Sequence, residues 1–509
     1  MRRLTGFRWG VIYPLAAGPI DWLLRIMMLA LLAPPVAAAA DVRGVADEPC
    51  PPSAIAVEPG ASIQAAVDRA GDGAAFCLKN GIHRMQAIRP KSGQSFHGEG
   101  QTVLSGSRLL TTFSREGRYW VAAGQKQRGR RHGRCAKEAP ACNLPEGLFL
   151  DDKPLDQVPT KDSVEAGRFY FDHAGGRIYF ADDPTGRKVE ATVAVLAFES
   201  RASNVLIRNV VIEKYASVAQ TGAIQAQDAV GWIVENCELR FNSGAGIAVG
   251  TGSRVRGCNI HHNGQIGITG AGRDIAVEDN QVWANNIRRF SSGWEAGGVK
   301  LALSNGVVFR GNQIHDNFGP GLWCDINCHN VLYEGNVVER NHGAGIFHEI
   351  SFNAVIRNNI VRHNGIADDT WFWGDDILIA ASQDVEVYGN TLTVSPGKCG
   401  IMLIDQSRPF EGGGNGKTEG DGKYKTRNNK VHDNETTFEG DACAGGASDA
   451  EPGDGNFTII TDGNNLFDGN VYRVPRVSGP TRFVWGHAIF DWDGLRANGV
   501  EQNGQLIIY

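Results

Sequence analysis

One short pattern recurs along the middle of this chain and restricts its fold more than any other feature. An apolar residue is followed by two variable residues, Asn, a short β-branched pair, a second Asn, and then Gly with another short apolar run. It reads VEDNQVWANN from Val277, FRGNQIHDNFGPGLW from Phe309, YEGNVVERNHGAGIF from Tyr333 and IRNNIVRHNG from Ile356. Weaker copies start at Ile207, Val234, Val255, Val387 and Thr426. The first asparagines, at 280, 312, 336, 359, 390 and 429, are spaced by 32, 24, 23, 31 and 39 residues, so a base period of about 22–24 is interrupted by three insertions. A unit of that length with two or three short β segments and Asn/Gly corners is one coil of a parallel β-helix, in which each strand stacks on its counterpart one period away. A corner Asn tolerates left-handed backbone while its amide bonds the neighbouring coil. The leucine-rich alternative lacks its LxxLxLxxN pattern, and a β-propeller needs roughly 40 residues per blade. The 65 glycines, nearly twice the usual share, fit tight corners and disfavour long helices.

The rest of the chain is organised around this array. Residues Ile26–Val36 form an apolar run, IMMLALLAPPV, preceded by Arg25 and followed by Ala37–Ala40. That is the pattern of an export signal and is too short for a membrane span. The expected organisation is a signal peptide at 1–40, an N-terminal cap and first coils at 41–106, an inserted β-rich module at 107–192, the β-helix with the active face at 193–469, and a C-terminal cap at 470–509. Within the module, KQRGRRHGR (Lys126 to Arg134) reads as a solvated basic loop, with an anionic-ligand site as the alternative. Removing residues 1–40, with Arg2, Arg3, Arg8 and Arg25 against Asp21, takes the formal charge from −6 to −9. So acidic a chain is not a general nucleic-acid binder, and with no later apolar run of membrane length the expectation is a secreted or periplasmic protein with no membrane contact. Export permits disulfides. Sequence leaves the connectivity open, but the local pairs are Cys50–Cys77, Cys135–Cys142 and Cys324–Cys328, with Cys399–Cys443 closing a longer loop. Cys237 and Cys258 share a repeat position and are expected to stack as core thiols. No Cys/His spacing suits a metal, and no cofactor is expected beyond an optional structural calcium ion.

Aligning the second strand of each coil on its Gly-apolar start (Gly246, Gly267, Gly298, Gly321, Gly345, Gly400) locates the chemistry. The residue after Gly points inward, and alternation then sends Lys300, Trp323, Phe347 and Met402 outward, followed two residues on by Ala302, Asp325, Glu349 and Ile404. Asp325 and Glu349 are 24 residues apart and therefore in register on adjacent coils. Stacked strands lie about 4.8 Å apart, so the two carboxyls should be roughly 5 Å apart, the separation used by retaining glycosidases. Charges that close drive one carboxyl toward its neutral form and leave the other ionised, the division that an acid/base and a nucleophile require. Solvated surface acids or a calcium site are the competing readings. Trp323 and Phe347 read as sugar platforms, Lys300 as a substrate contact one coil below, and Trp294, Glu295, Asp376 and Asp405 as substrate-binding residues in insertions that wall the face. His348 alternates with Glu349 and should point inward.

The segments GGVKL (Gly297–Leu301), GLWCD (Gly321–Asp325) and GIFHEIS (Gly345–Ser351), with FLDDKPL and RIYFADDPTG in the insertion, resemble the β-helical β-xylosidases of glycoside hydrolase family 120. That resemblance implies an all-β, right-handed parallel β-helix of the pectate-lyase-like superfamily carrying a small inserted module. It also implies a retaining mechanism with Asp325 as nucleophile and Glu349 as acid/base. Cys324, Ile326 and His348 depart from that family's more apolar neighbours, which bears on the substrate. The expected function is an exported retaining glycoside hydrolase acting on a poly- or oligosaccharide. The alternatives are a polysaccharide lyase or uronate C5-epimerase with Lys300 as base, and a non-catalytic glycan-binding adhesin.

Overall fold

The computed structural model describes residues 49–367, 371–410, 422–476 and 482–509; the expected signal peptide at 1–40 and the GGG stretch at 412–414 lie outside them. Three long sheets of 13, 12 and 13 strands wind along one axis, and an eight-stranded sheet is built from residues 107–192. Successive strands of each long sheet come from successive coils and pair in parallel, as at Leu322↔Ile346 and Val338↔Val361. Short apolar strands suit this architecture because each buries one side in the shared interior. The row Ile247, Ile268, Val299, Leu322, Ile346, Ile377 and Ile401 is in strand register and almost fully buried, so each coil covers the apolar side of the next.

The corners divide their work between two neighbouring residues. The ladder asparagines Asn280, Asn312, Asn336, Asn359, Asn390, Asn434 and Asn470 are buried, and the amide of each donates at 2.9–3.0 Å to the Oδ1 of the next. The left-handed backbone is taken by the residue before each, such as Asp279 (φ 55), Gly311 (φ 64) and Asn358 (φ 55). The partner of Asn390 is Asn434, not Asn429, which belongs to a different corner ladder with Asn465. A second ladder runs from Asn242 through Asn263, Asn285, Asn317 and Asn341 to Asn364. The glycines that open the site strands are needed here: a Cβ at Gly321 would meet Gly345 O at 2.6 Å and the Asn341 amide at 2.9 Å.

The inserted sheet is mostly antiparallel and carries its own apolar cluster around Phe169, Phe171, Ile178 and Phe180. The helix Ile63–Arg69 packs on the first coils, and Trp492–Ala497 lies beside the last strands. Disulfides join Cys50–Cys77, Cys135–Cys142, Cys324–Cys328 and Cys399–Cys443, while Cys237 and Cys258 are free, buried and stacked. Among the described residues, no helix is long and apolar enough to cross a membrane.

Candidate active site

Five consecutive strands of the 12-stranded sheet form the candidate face: Gly297–Ala302, Leu322–Asp325, Ile346–Glu349, Asp375–Ala380 and Cys399–Asp405. Their outward residues make two rows. One runs Lys300, Trp323, Phe347, Leu378, Met402, with Thr269 of the preceding strand in register below Lys300. The other runs Ala302, Asp325, Glu349, Ala380, Ile404, with the Trp323↔Phe347 and Cys324↔His348 pairs setting Asp325 beside Glu349. Met402 and Ile404 are one coil further from the pair than the Gly-apolar alignment implies. The intervening strand has Asp376 where the others have Gly, which conceals it from that alignment.

The two carboxyls are only 6% and 9% exposed. Lys300 Nζ lies 2.8 Å from Asp325 Oδ2, and Arg408 donates to Glu349 Oε1 at 3.0 Å. Burial, then the charge of Asp325, pushes the Glu349 carboxyl up to about 7, against the opposing pull of Arg408 and Lys300. The second Asp325 oxygen, Oδ1, is buried without a hydrogen-bond donor among the described residues. Such an atom costs about 1–3 kcal/mol. The turn after Asp325 is held firmly. Ile326 and Asn327 adopt left-handed backbone, Cys324–Cys328 bridges them, and the Tyr424 hydroxyl donates to Asn327 Oδ1 at 3.0 Å. His348 faces the interior level with Cys324, fully buried beside the Tyr333 hydroxyl at 3.4 Å, where burial depresses its imidazole to about 3.

The remaining candidates divide. Lys300 and Glu295 join the pair: Glu295 Oε2 is 4.0 Å from Lys300 Nζ and accepts from the Gln220 amide at 2.6 Å, and Oε1 accepts from Thr269 at 3.0 Å. Trp294 is adjacent through its backbone, whose carbonyl accepts from Lys300 at 3.4 Å, while its ring packs on Phe290 and His132. Trp323 departs from expectation as a platform. One face stacks on Phe347 (centroids 5.2 Å apart) and the other carries the Lys300 ammonium at 3.7 Å, so the ring is buried and has no face for a sugar. Asp376 is bonded into the fold through Oδ1, while its Oδ2 is buried without a hydrogen-bond partner among the described residues. It ends the second ladder, accepting from Asn364 N at 3.0 Å and Asn364 Nδ2 at 2.8 Å, and burial pushes its carboxyl up to about 7. Asp405 is fully buried and accepts from Ser407 N, Thr426 N and the Asn456 amide. It acts at one remove, fixing the base of the loop that delivers Arg408.

Arg408 is the site residue that the repeat does not reveal, because it folds back 59 residues to reach Glu349. Thr269 was detectable, as the residue in register below Lys300. Exposed aromatic surface lies further along the face. Trp371 is 42% exposed, Trp373 meets Phe347 edge-on, and both line a cavity of about 320 Å³ with Lys398 and Arg482. A cavity of about 570 Å³ lies apart from the acids, between the inserted module and the coils. No group of three or more His, Cys, Asp and Glu side chains capable of holding a metal occurs among the described residues.

Residues 197–392 match the family model for the right handed beta helix region. The solenoid is a right-handed β-helix. Among solved structures it is similar to XylC in complex with xylose, at a TM-score of 0.62 and 14% identity over 88% of this chain and 82% of that one. It is also similar to the A-module of the Azotobacter vinelandii mannuronan C-5 epimerase AlgE6, at a TM-score of 0.48 and 14% identity over 88% and 94%. At these identities the likeness is one of fold. No protein of curated function matches the sequence.

Proposed function

We propose that this chain is an exported carbohydrate-active enzyme, a retaining glycoside hydrolase in which Asp325 attacks the anomeric carbon and Glu349 acts as acid and then base. The observation that carries this reading is the adjacent-strand carboxyl pair, in which burial and the charge of Asp325 push Glu349 toward neutrality. A glycosidase needs one protonated carboxyl to give its proton to the leaving oxygen and one carboxylate to form the covalent intermediate; the first then activates water for the second displacement. In this scheme Lys300 fixes the orientation of Asp325 and leaves Oδ1 to attack, while Arg408 orients Glu349. Glu295, Gln220 and Thr269 fix Lys300 from behind. The disulfides fit an oxidising compartment.

The ion pair also disfavours Lys300 as the base of a lyase or epimerase. The ammonium is already engaged by Asp325 on one side and the Trp323 ring on the other. The xylose held by XylC makes aryl β-xylosides the first substrates to test. The test is hydrolysis of such glycosides, and of a wider aryl glycoside panel, with the first-formed product followed by NMR. Retention of anomeric configuration supports the reading. Inversion, or an unsaturated product absorbing in the ultraviolet, refutes it.

A further inference from the structure

The segment Lys126–Arg134 is the most basic part of an otherwise acidic chain, with six of nine residues Lys, Arg or His against a formal charge of −6 overall. The fold holds it against the site. Gly129 N donates to the buried Glu146 at 2.6 Å, Arg134 O accepts from Ser291 N at 2.9 Å, and Cys135 both bridges to Cys142 and pairs with Phe290. At its tip, the His132 ring meets the Trp294 ring edge-on at 5.5 Å, and His132 Nε2 lies 2.7 Å from Gln220 Oε1. Gln220 then donates to Glu295, which neighbours Lys300, which pairs with Asp325. The loop is therefore joined to the candidate nucleophile by an unbroken run of polar contacts.

While His132 faces inward, Arg128, Arg130 and Arg134 are exposed, and among the described residues none of them has a carboxylate partner. Arg131 contacts only the neutral Asn143 amide. Some exposed arginines elsewhere, such as Arg310 and Arg340, sit within 3.1 Å of carboxylates, while others, such as Arg254 and Arg273, have no carboxylate partner among the described residues but stand apart from any comparable run of basic residues. Like charges close in sequence and without counter-ions disfavour the compact state. A guanidinium presents its donors as a planar fork that matches carboxylate and sulfate oxygens.

We propose that this loop is a specificity element for acidic glycans: the substrate carries a uronate carboxylate or a sulfate away from the scissile bond, and Arg128, Arg130 and Arg134 bind it. This deepens the hydrolase reading and rests on it for the word substrate.

The test is affinity electrophoresis of the full chain in native gels containing polygalacturonate, chondroitin sulfate or neutral xylan. The wild type should be retarded by an acidic glycan and not by neutral xylan, and the acidic glycan that retards it distinguishes carboxylate from sulfate. Arg128→Gln/Arg130→Gln/Arg134→Gln should weaken that retardation about tenfold, as two or three exposed charge contacts would. The control triple Arg254→Gln/Arg256→Gln/Arg273→Gln, at exposed sites elsewhere on the solenoid, should leave it in place. Equal retardation by neutral xylan, no retardation by either acidic glycan, or equal loss in both triples overturns the inference. The gel reads binding without turnover. A chain that binds acidic glycan yet cleaves no glycoside therefore loses the hydrolase reading alone, and one that cleaves neutral glycosides with no acidic preference loses this inference alone.

Discussion

Four of the buried acids on consecutive strands of one sheet fall into two contrasting pairs. Asp376 and Asp405 are tied to the fold by amide donors: each accepts at least two hydrogen bonds at 2.8–3.0 Å, both on Oδ1 in Asp376, whose Oδ2 is buried without a donor among the described residues, and each closes a ladder or a loop base. Asp325 and Glu349 face each other across adjacent coils, each held by one cation, and Asp325 keeps a buried oxygen with no donor. Burial raises the carboxyl in both settings, so a raised carboxyl does not by itself mark a catalytic group. The partners decide. Amide donors tie Asp376 and Asp405 into a ladder and a loop base, while Asp325 and Glu349 are each held by a cation on neighbouring strands.

The largest expected effect breaks this contrast directly. Asp325→Ala and Glu349→Ala should each lower kcat/KM by about 10³-fold or more with the folded state retained. Asp405→Ala should act on the fold first, leaving buried donors unmet and lowering the thermal midpoint by several degrees. If Asp405→Ala folds normally while Asp325→Ala unfolds the chain, the two pairs have been assigned the wrong way round. Next in size, Lys300→Met removes the cation that faces Asp325 and should cost about 10²-fold in kcat with a smaller change in KM, measured by initial rates.

The pH profile sharpens the comparison. With Glu349 at about 7, activity should fall as pH rises through that value, because the acid needed for the first step is lost. Arg408 pulls the carboxyl down, so Arg408→Gln should move that limb upward, by up to about one pH unit. The stability effect has the same direction for both acids near 7. From the ordinary carboxyl range of about 4 up to about 7, the folded chain holds protons that the unfolded chain has released, so stability falls as pH rises through that window. Asp376→Asn should flatten part of this dependence in denaturant titrations at pH 5 and 8 while leaving activity near wild type, the smallest effect of the set.

Much of this was legible because a solenoid repeats its geometry. The 24-residue step from Asp325 to Glu349 and the inward rows follow from period and alternation, while the cysteine pairs were suggested only by their closeness in sequence. What failed is equally physical. Asp376 replaces a strand-opening Gly and concealed a whole coil, so it read as part of an insertion. Asn429 matched the motif but belongs to a different corner. Trp323 points outward, yet outward on this face means buried beneath neighbouring side chains, a distinction that alternation does not carry. Arg408 arrives on a loop whose path no repeat encodes.

The central claim is that Asp325 forms the covalent intermediate and Glu349 releases it. The direct measurement is mass spectrometry of the chain after reaction with an activated 2-deoxy-2-fluoro glycoside of a sugar that it hydrolyses. The account predicts one added glycosyl mass, located on the peptide containing Asp325 and absent in Asp325→Ala. A stable label on Glu349 or any other residue, or turnover with inversion and no trapped adduct, would contradict it.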